Sequence, residues 1–190
     1  MAETWRAPAE QLLTRLGTVR QFSTRDFGRE QHREGLSVVI GGGGPMVKDD
    51  ARAALDAVRK KLPVGCVAWL GTTRWLGAEK FDGKVELAIA QGVDQFDILR
   101  HAASDAVNFG LGTEDLVKKL AAWDRACRLD IIHAETDTIE FDLKGKLADP
   151  AAFAQEVYAF CPDVVDQGVG SEEALAEVIV ETGRVYLWWD

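Results

Sequence analysis

The stretch Leu129-Asp-Ile-Ile-His-Ala-Glu-Thr-Asp-Thr-Ile-Glu-Phe-Asp-Leu143 decides the fold class of this chain. It contains two short runs rich in β-branched and aromatic residues, separated by the polar residues 135–137. Runs of this composition at this spacing predict two strands, over 129–134 and 138–143, joined by a tight turn. Because helix signals lie on both sides of this hairpin, the sequence indicates an α+β fold, with a mostly antiparallel sheet and helices packed on it.

Capping residues and hydrophobic periodicity predict the remaining elements. Asp94 opens a helix that Gly110 ends, whereas Asp149 and Ser171 cap the two later helices. The final strand carries large apolar groups on both faces, so we expect it to be central and covered on both sides. The predicted order is α-β-α-β-β-α-α-β-β-α-α-β, with helices over 9–16, 49–61, 94–109, 113–128, 150–160 and 172–181, and strands over 36–40, 65–70, 85–90, 129–134, 138–143 and 184–189.

The length of 190 residues fits a single domain over 1–190. Residues 1–40 form a short N-terminal helix and an Arg-rich extension, and we interpret 18–35 as a loop or an edge strand. A signal peptide begins with a basic segment that is followed by an apolar one, and the N-terminus of this sequence has neither, so we predict that it is not a signal peptide. The three cysteines are far apart and form no C-x-x-C pair, which predicts reduced thiols in a cytoplasmic protein.

The charge is distributed unevenly along the chain. Residues 1–61 carry 11 Lys and Arg against 8 Asp and Glu, a net charge of +3, whereas residues 62–190 carry 11 against 23, a net charge of −12. The total of −9 argues against nucleic acid as the main partner, and the apolar runs are too short to span a membrane. An acidic field attracts basic partners, although it also serves ordinary solubility.

Three features could carry chemistry, and each also has a structural interpretation. The run Gly41–Gly44 follows a strand and precedes a helix, as a phosphate loop does, but it lacks the motif spacing and suits a flexible turn. His133 lies on a strand, where it could be catalytic or simply hydrogen-bonded. No His or Cys spacing resembles a zinc site, and we predict no metal or cofactor. The helix from Asp94 would present a solvated polar face or a metal site on one side, formed by Asp94, Asp97, His101, Asp105 and Asn108.

Two polar segments near the end of the chain are candidate binding elements. The segment Cys161-Pro-Asp-Val-Val-Asp-Gln-Gly168 leaves a helix that cannot continue past its proline, so it is either a turn or a binding loop. Its cysteine is a poor candidate nucleophile, because a helix C-terminus and acidic neighbours disfavour a thiolate. In the segment 186–190, Trp188 is either a core residue or the side of a pocket mouth, with Asp190 beside it.

Several of these motifs together resemble the DUF4253 family, a domain of unknown function. The resemblance covers about residues 80–190, and Trp69-Leu-Gly-Thr-Thr-Arg-Trp75 resembles longer members of the same group. The family implies no activity and no catalytic residues. It does imply that Asn108, the Cys-Pro-Asp loop and the Trp-Trp-Asp end belong to one pattern, so we expect them to converge in space. The motifs that carry the resemblance are Asp94-Gln-Phe-Asp-Ile-Leu-Arg100, Asp105-Ala-Val-Asn108, Thr113-Glu-Asp115, Trp123-Asp124, Cys161-Pro-Asp163, Asp166-Gln-Gly168 and Leu187-Trp-Trp-Asp190.

Two functions of different classes fit these observations. The one we favour is a non-catalytic, acidic protein-binding module, for example an immunity-type protein that blocks a basic toxin or another basic partner. The alternative is a small enzyme or ligand-binding protein, with an acidic and aromatic pocket formed by the Cys-Pro-Asp loop and the C-terminal Trp-Trp-Asp. We predict no catalytic residues. The candidate binding residues are Asn108, Asp163, Asp166, Gln167, Trp188 and Asp190.

Overall fold

The computed structural model describes residues 4–22, 34–41, 47–71 and 83–190. Over these residues the chain forms a seven-stranded sheet with helices on both faces. Two short turns interrupt the α-helical layer, a 3₁₀ turn at Val107–Phe109 and a π-helical turn at Val164–Val169. The elements are α1 (Arg6–Thr14), β1 (Val19–Phe22), β2 (Gly35–Gly41), α2 (Asp49–Arg59), β3 (Cys66–Gly71), β4 (Lys84–Gln91), α3 (Asp97–Ala102), α4 (Thr113–Cys127), β5 (Leu129–Ala134), β6 (Thr138–Leu143), α5 (Pro150–Phe160), α6 (Glu172–Thr182) and β7 (Arg184–Trp188).

The sheet confirms the predicted α+β class. Its strand order is β1-β2-β4-β3-β5-β6-β7, and every neighbouring pair is antiparallel except β3 and β5. The hairpin of residues 129–143 forms as predicted, as β5 and β6, with a register shift between Ile131 and His133. The first edge strand, β1, falls in the region that the sequence left as a loop or an edge strand, and it adds one strand to the predicted order.

Helices cover the two faces of the sheet unequally. On one face, α1 and α2 pack on strands β2, β3 and β4, around Leu13, Leu55 and Leu87. On the other face, α3 to α6 form a larger core that reaches β7 and includes Phe141 and Leu187. In the described part of the chain, the α1–α2 core contains no residue of β6 or β7. On that side, β6 and β7 are contacted through polar groups instead: Arg52 of α2 pairs with Asp142 at 2.6 Å, and Val47 N–H donates to Glu140 Oε2.

The predicted helix signals of the C-terminal half mostly hold. The stripe Leu116, Leu120, Trp123 and Cys127 of α4 is fully packed in the core, as its i, i+4, i+7, i+11 spacing predicts. Asp149 and Ser171 accept hydrogen bonds from Ala152 and Ala174 N–H, as their capping role requires. At the start of α4, Asp115 Oδ2 accepts a hydrogen bond from Gly112 N–H at 2.9 Å.

The predicted helix from Asp94 to Gly110 is wrong in its second half. α3 ends at Ala102, because Ala103 adopts a left-handed conformation with φ 55°. The chain then turns toward the β5–β6 hairpin, where Ser104 Oγ donates to Glu135 O and Asp105 N–H donates to Thr136 O at 2.7 Å. The polar row predicted along one helix face is consequently broken, and Asn108 lies on the 3₁₀ turn instead.

One expectation for the C-terminal strand is also corrected. β7 is an edge strand of the sheet and not a central one, with Val185 and Leu187 buried on one face and Tyr186 and Trp188 half-buried on the other. Large apolar residues on both sides therefore did not require a central position. The segment 161–168, predicted to be a turn or a binding loop, lies mostly in the π-helical turn.

Several predicted features lie outside the described residues. They are the glycines 42–44, part of the segment 69–75 and most of the Arg-rich extension. In the described ranges, no helix is both long enough and apolar enough to cross a lipid bilayer.

Candidate functional site

The Cys-Pro-Asp segment and the C-terminal residues meet in the structure. Asp163 Oδ2 accepts a hydrogen bond from Asp190 N–H at 2.9 Å, and Asp163 Oδ1 accepts from Gln167 Nε2 at 3.0 Å. Cys161 Sγ donates to Trp188 O at 3.0 Å. We call these five residues the C-terminal junction. The expected convergence of the two segments is therefore observed.

Within the junction, Asp163 and Cys161 hold the chain together. Asp163 is only 8% exposed, and both of its carboxylate oxygens accept hydrogen bonds from within the chain. Burial raises the pKa of the Cys161 thiol to about 12, with hydrogen bonds from the chain only partly opposing the shift. A buried thiol with so high a pKa is not a nucleophile at neutral pH. This geometry assigns both side chains a structural role.

The other candidate residues are more accessible. Asp166, Gln167 and Asp190 are exposed, and Tyr158 Oη donates to Asp166 Oδ1 at 3.1 Å. Asn108 is exposed on the 3₁₀ turn, away from the contacts that join the junction. The segment that precedes Asn108 is bound to the β5–β6 turn through Asp105 N–H, which donates to Thr136 O. The C-terminal residues are bound to the same turn through Trp189 N–H, which donates to Asp137 O. The structure therefore connects Asn108 to the junction through that turn rather than by direct contact.

A second feature is a strongly acidic layer formed by α5, the π-helical turn and α6. Residues 147–183 contain eight Asp and Glu and no Lys, Arg or His. On α6, Glu173, Glu177 and Glu181 are exposed. Glu181 lies in the last turn of α6, where no basic residue is present and a negative charge opposes the helix dipole. We call this surface the acidic layer.

The acidic layer also exposes apolar side chains. Val178 is 37% exposed and Val180 is 64% exposed, both on α6 between the glutamates. At the border with α4, Lys119 Nζ pairs with Glu156 Oε2 at 3.1 Å, and the same oxygen accepts from Trp123 Nε1. The outer face of α6 thus combines negative charge with apolar surface, which is the combination found at many protein interfaces.

A third feature is a row of polar side chains across β5, β6 and β7, on the face of the sheet opposite α5 and α6. His133 of β5 is paired in register with Glu140 of β6, which is paired with Tyr186 of β7. His133 and Glu140 are buried, whereas Tyr186 is half-buried. Arg184 is paired with Asp142 in the neighbouring row. We call His133, Glu140 and Tyr186 the polar row.

The electrostatics of the polar row are unusual for a sheet surface. Burial raises the pKa of the Glu140 carboxyl. The hydrogen bond from Val47 N–H lowers this pKa, as do the nearby side chains of His133 and Arg184, but they offset the shift only in part. Arg184 Nη1 lies 3.2 Å from Glu140 Oε1. Burial also raises the pKa of Tyr186, although its hydrogen bond with Thr138 opposes the shift. The row therefore places Glu140 and Tyr186 in an environment that disfavours their charged forms.

The comparison with protein families bears on the second half of the chain. The family described as "Domain of unknown function (DUF4253)" matches residues 86–190, which is more than half of the sequence. The chain belongs to the DUF4253 family. Neither a curated protein nor a solved structure matches it.

The DUF4253 region contains all three features described above. It begins within β4, and it includes the junction, the acidic layer and the polar row. Among the described residues, no group of three His, Cys, Asp or Glu side chains could hold a metal ion. Two shallow depressions, of about 470 and 480 Å³, lie outside this region, along α1 and mainly beside β1 and β2. Neither contains a candidate binding residue.

Sequence reasoning missed two of these DUF4253 features. The acidic layer could have been found, because the sequence contains a 37-residue stretch without a basic residue. Summing the charge over the whole of residues 62–190 concealed this stretch. The polar row could not, because its members are on three strands and only the strand register brings them together.

Proposed function

We propose that this DUF4253 protein is a non-catalytic protein-binding module, and that its acidic layer docks onto a basic partner protein. The observation that carries the proposal is the absence of any Lys, Arg or His from residues 147–183, against eight acidic residues, of which all but Asp163 are at least partly exposed. A one-signed surface of this kind steers an oppositely charged partner and repels acidic ones. The exposed Val178 and Val180 would provide apolar contact at the centre of the docked surface.

An immunity-type function is the form of binding that suits this surface best. Such a protein neutralises a toxin by covering its active site, and a basic active site would match the acidic layer in charge. A cytoplasmic location fits the three free cysteines, Cys66, Cys127 and Cys161, because a reducing compartment keeps thiols unpaired. Glu181 adds to the negative charge of this surface, although its position at the C-terminus of α6 opposes the helix dipole.

The alternative, a ligand-binding or enzymatic pocket at the C-terminal junction, would depend on fewer residues than the sequence implied. Both oxygens of Asp163 accept hydrogen bonds within the chain. A ligand would therefore be bound by the accessible Asp166, Gln167 and Trp188. This alternative becomes the better hypothesis if the acidic layer proves to bind no protein.

The experiment compares matched charge variants of the full chain. The wild type, Glu177→Gln/Glu181→Gln and the control Glu10→Gln/Asp49→Asn each serve as bait for a lysate of the source cells, at about 50 mM and about 500 mM salt. Both double variants remove two exposed carboxylates, but only the first alters the acidic layer. Retained proteins are identified by mass spectrometry, and the affinity of the best one is then measured with purified components.

We expect a basic protein that is retained at low salt and released at high salt. Its affinity should fall about tenfold with Glu177→Gln/Glu181→Gln, from about 0.7 kcal/mol for each lost charge pair, and stay within about twofold in the control. Retention of no basic protein, or retention that is equal for both double variants, would contradict the proposal.

A further inference from the structure

Four segments meet at the end of the sheet where β3 and β5 begin. Gly92 N–H donates to Gly65 O at 3.0 Å, and Lys144 N–H donates to Arg128 O at 2.7 Å. Between these two contacts, Gln95 Nε2 donates to the first carbonyl of β5 at 3.2 Å. The hydrogen bonds join the segments into one continuous surface, which we call the basic end. Its segments are 60–65, 92–95, 124–129 and 144–146.

The basic end has an excess of positive charge. Five of its exposed cations form no ion pair with any residue that the structure describes, and they are Lys60, Lys61, Arg125, Arg128 and Lys146. The adjoining ion-pair network has equal numbers of cations and carboxylates, so it cancels none of this charge. That network contains Arg52, Arg59 and Lys144 with Asp56, Asp130 and Asp142. Asp94 and Asp124 are the two carboxylates within the four segments, so the five cations leave a net charge of +3, in a chain of net charge −9.

Two apolar side chains of the basic end lie almost wholly in solvent. Val64 is fully exposed and Val93 is 97% exposed. They belong to the neighbouring turns that the Gly92–Gly65 hydrogen bond joins. A single exposed valine is ordinary, but two in adjacent turns among unpaired cations combine apolar surface with charge, as docking surfaces do.

The acidic layer presents the same combination with the opposite charge. Glu173, Glu177 and Glu181 are exposed and four residues apart, so they form one stripe along α6. Val180 lies beside this stripe and is 64% exposed. Because the cations of the basic end form no ion pair with any described residue, the acidic layer of the same molecule does not neutralise them. The two surfaces are therefore complementary between molecules rather than within one.

We propose that the basic end of one copy of this chain docks onto the acidic layer of a second copy. The inference rests on the docking role that the proposed function gives to the acidic layer, and it adds the chain itself as a partner. A second copy offers both carboxylates and exposed valines, whereas a nucleic acid offers no aliphatic surface to Val64 and Val93. Because the two surfaces are different parts of the molecule, the contact is heterologous and extends into rings or open chains.

The association should be weak and sensitive to salt. A contact made of a few charge pairs and valines is small, so we expect a dissociation constant of about 100 μM. Salt screens exposed charges, so association at about 100 mM salt should largely disappear at about 500 mM. A tighter basic partner of the acidic layer would displace the second copy.

Three double variants of the full chain test the proposal by sedimentation velocity, from about 10 to about 500 μM protein. One neutralises part of the basic end, one neutralises part of the acidic layer, and the control removes two exposed lysines at the opposite ends of α2 and β4. In this order they are Lys61→Gln/Lys146→Gln, Glu177→Gln/Glu181→Gln and Lys48→Gln/Lys84→Gln. The first and the third change the net charge equally, so a difference between them depends on where the charges lie.

The basic-end and acidic-layer variants should each self-associate about tenfold more weakly than the wild type, and the control within about twofold of it. The acidic-layer variant lowers the net negative charge of the chain, so its weaker association cannot come from greater overall repulsion. An equimolar mixture of these two variants should form a dimer with an affinity close to that of the wild type. The dimer should not grow, because the mixture pairs one intact basic end with one intact acidic layer.

A wild type that stays monomeric up to about 500 μM overturns the proposal, and this result does not depend on whether a variant folds. Equal association of the control and the basic-end variant, or a mixture that forms no dimer, also overturns it. If a monomeric wild type sediments with phosphatidylserine vesicles, the basic end binds a lipid surface instead. None of these results affects the capture of a basic protein from a lysate, which tests the proposed function separately.

Discussion

Replacing Asp163 by alanine should loosen the C-terminal junction and destabilise the whole protein. The carboxylate is 8% exposed and accepts hydrogen bonds from Asp190 N–H and Gln167 Nε2, at 2.9 and 3.0 Å. A hydrogen bond to a charged group contributes about 1.5–3 kcal/mol to stability. Because Gln167 is exposed, its hydrogen bond to Asp163 should contribute about 1.5 kcal/mol or less. We therefore expect a loss of about 3 kcal/mol in the free energy of unfolding, or about 6–12 °C in the melting temperature.

Two further variants separate the parts of this effect. Asp163→Asn keeps one acceptor for Asp190 N–H and should cost about 1 kcal/mol. Gln167→Ala removes only the bond from an exposed side chain and should cost about 0.5 kcal/mol. Urea unfolding, followed by tryptophan fluorescence, measures all three changes on the same scale.

The order of these values is the decisive result. The reasoning predicts that alanine at position 163 is the most destabilising and that the Gln167 variant is the least. If Asp163→Ala unfolds at the same urea concentration as the wild type, the carboxylate does not hold the junction. Asp163 would then regain its place among the candidate binding residues.

Two other predictions concern the end of α3 and the cysteines. Ala103 has φ 55°, so Ala103→Gly should raise the free energy of unfolding by about 0.5–1 kcal/mol, whereas Ala102→Gly, inside the helix, should lower it by about 1 kcal/mol. Thermal unfolding tests this, and destabilisation by both glycines would mean that the helix continues past Ala102. Iodoacetamide at pH 8 should modify the half-buried Cys66 before Cys127 and Cys161, whose pKa values burial raises to about 11 and about 12. Mass spectrometry of the native protein shows the order, and early modification of Cys161 would refute its burial.

The acidic layer and the polar row lie on opposite sides of the sheet. The helices α5 and α6 cover the face that carries Phe141 and Leu187, and the polar row lies on the other face of the same strands.

Local signals along the chain were sufficient for most of the elements. The hairpin at 129–143, the Asp149 and Ser171 caps and the buried stripe of α4 all follow from interactions between residues close in sequence. Such interactions depend on backbone preferences and on which side of one helix or strand is apolar. They led to the α+β class that the sheet confirms.

Tertiary contacts decided the remaining features. Ala103 leaves the helix because the β5–β6 turn offers partners to Ser104 and Asp105, and β7 is an edge strand because nothing pairs beyond it among the described strands. The polar row exists only through the register of three strands. The energy of such contacts belongs to pairs of residues far apart in the chain, so no pattern within one segment contains it.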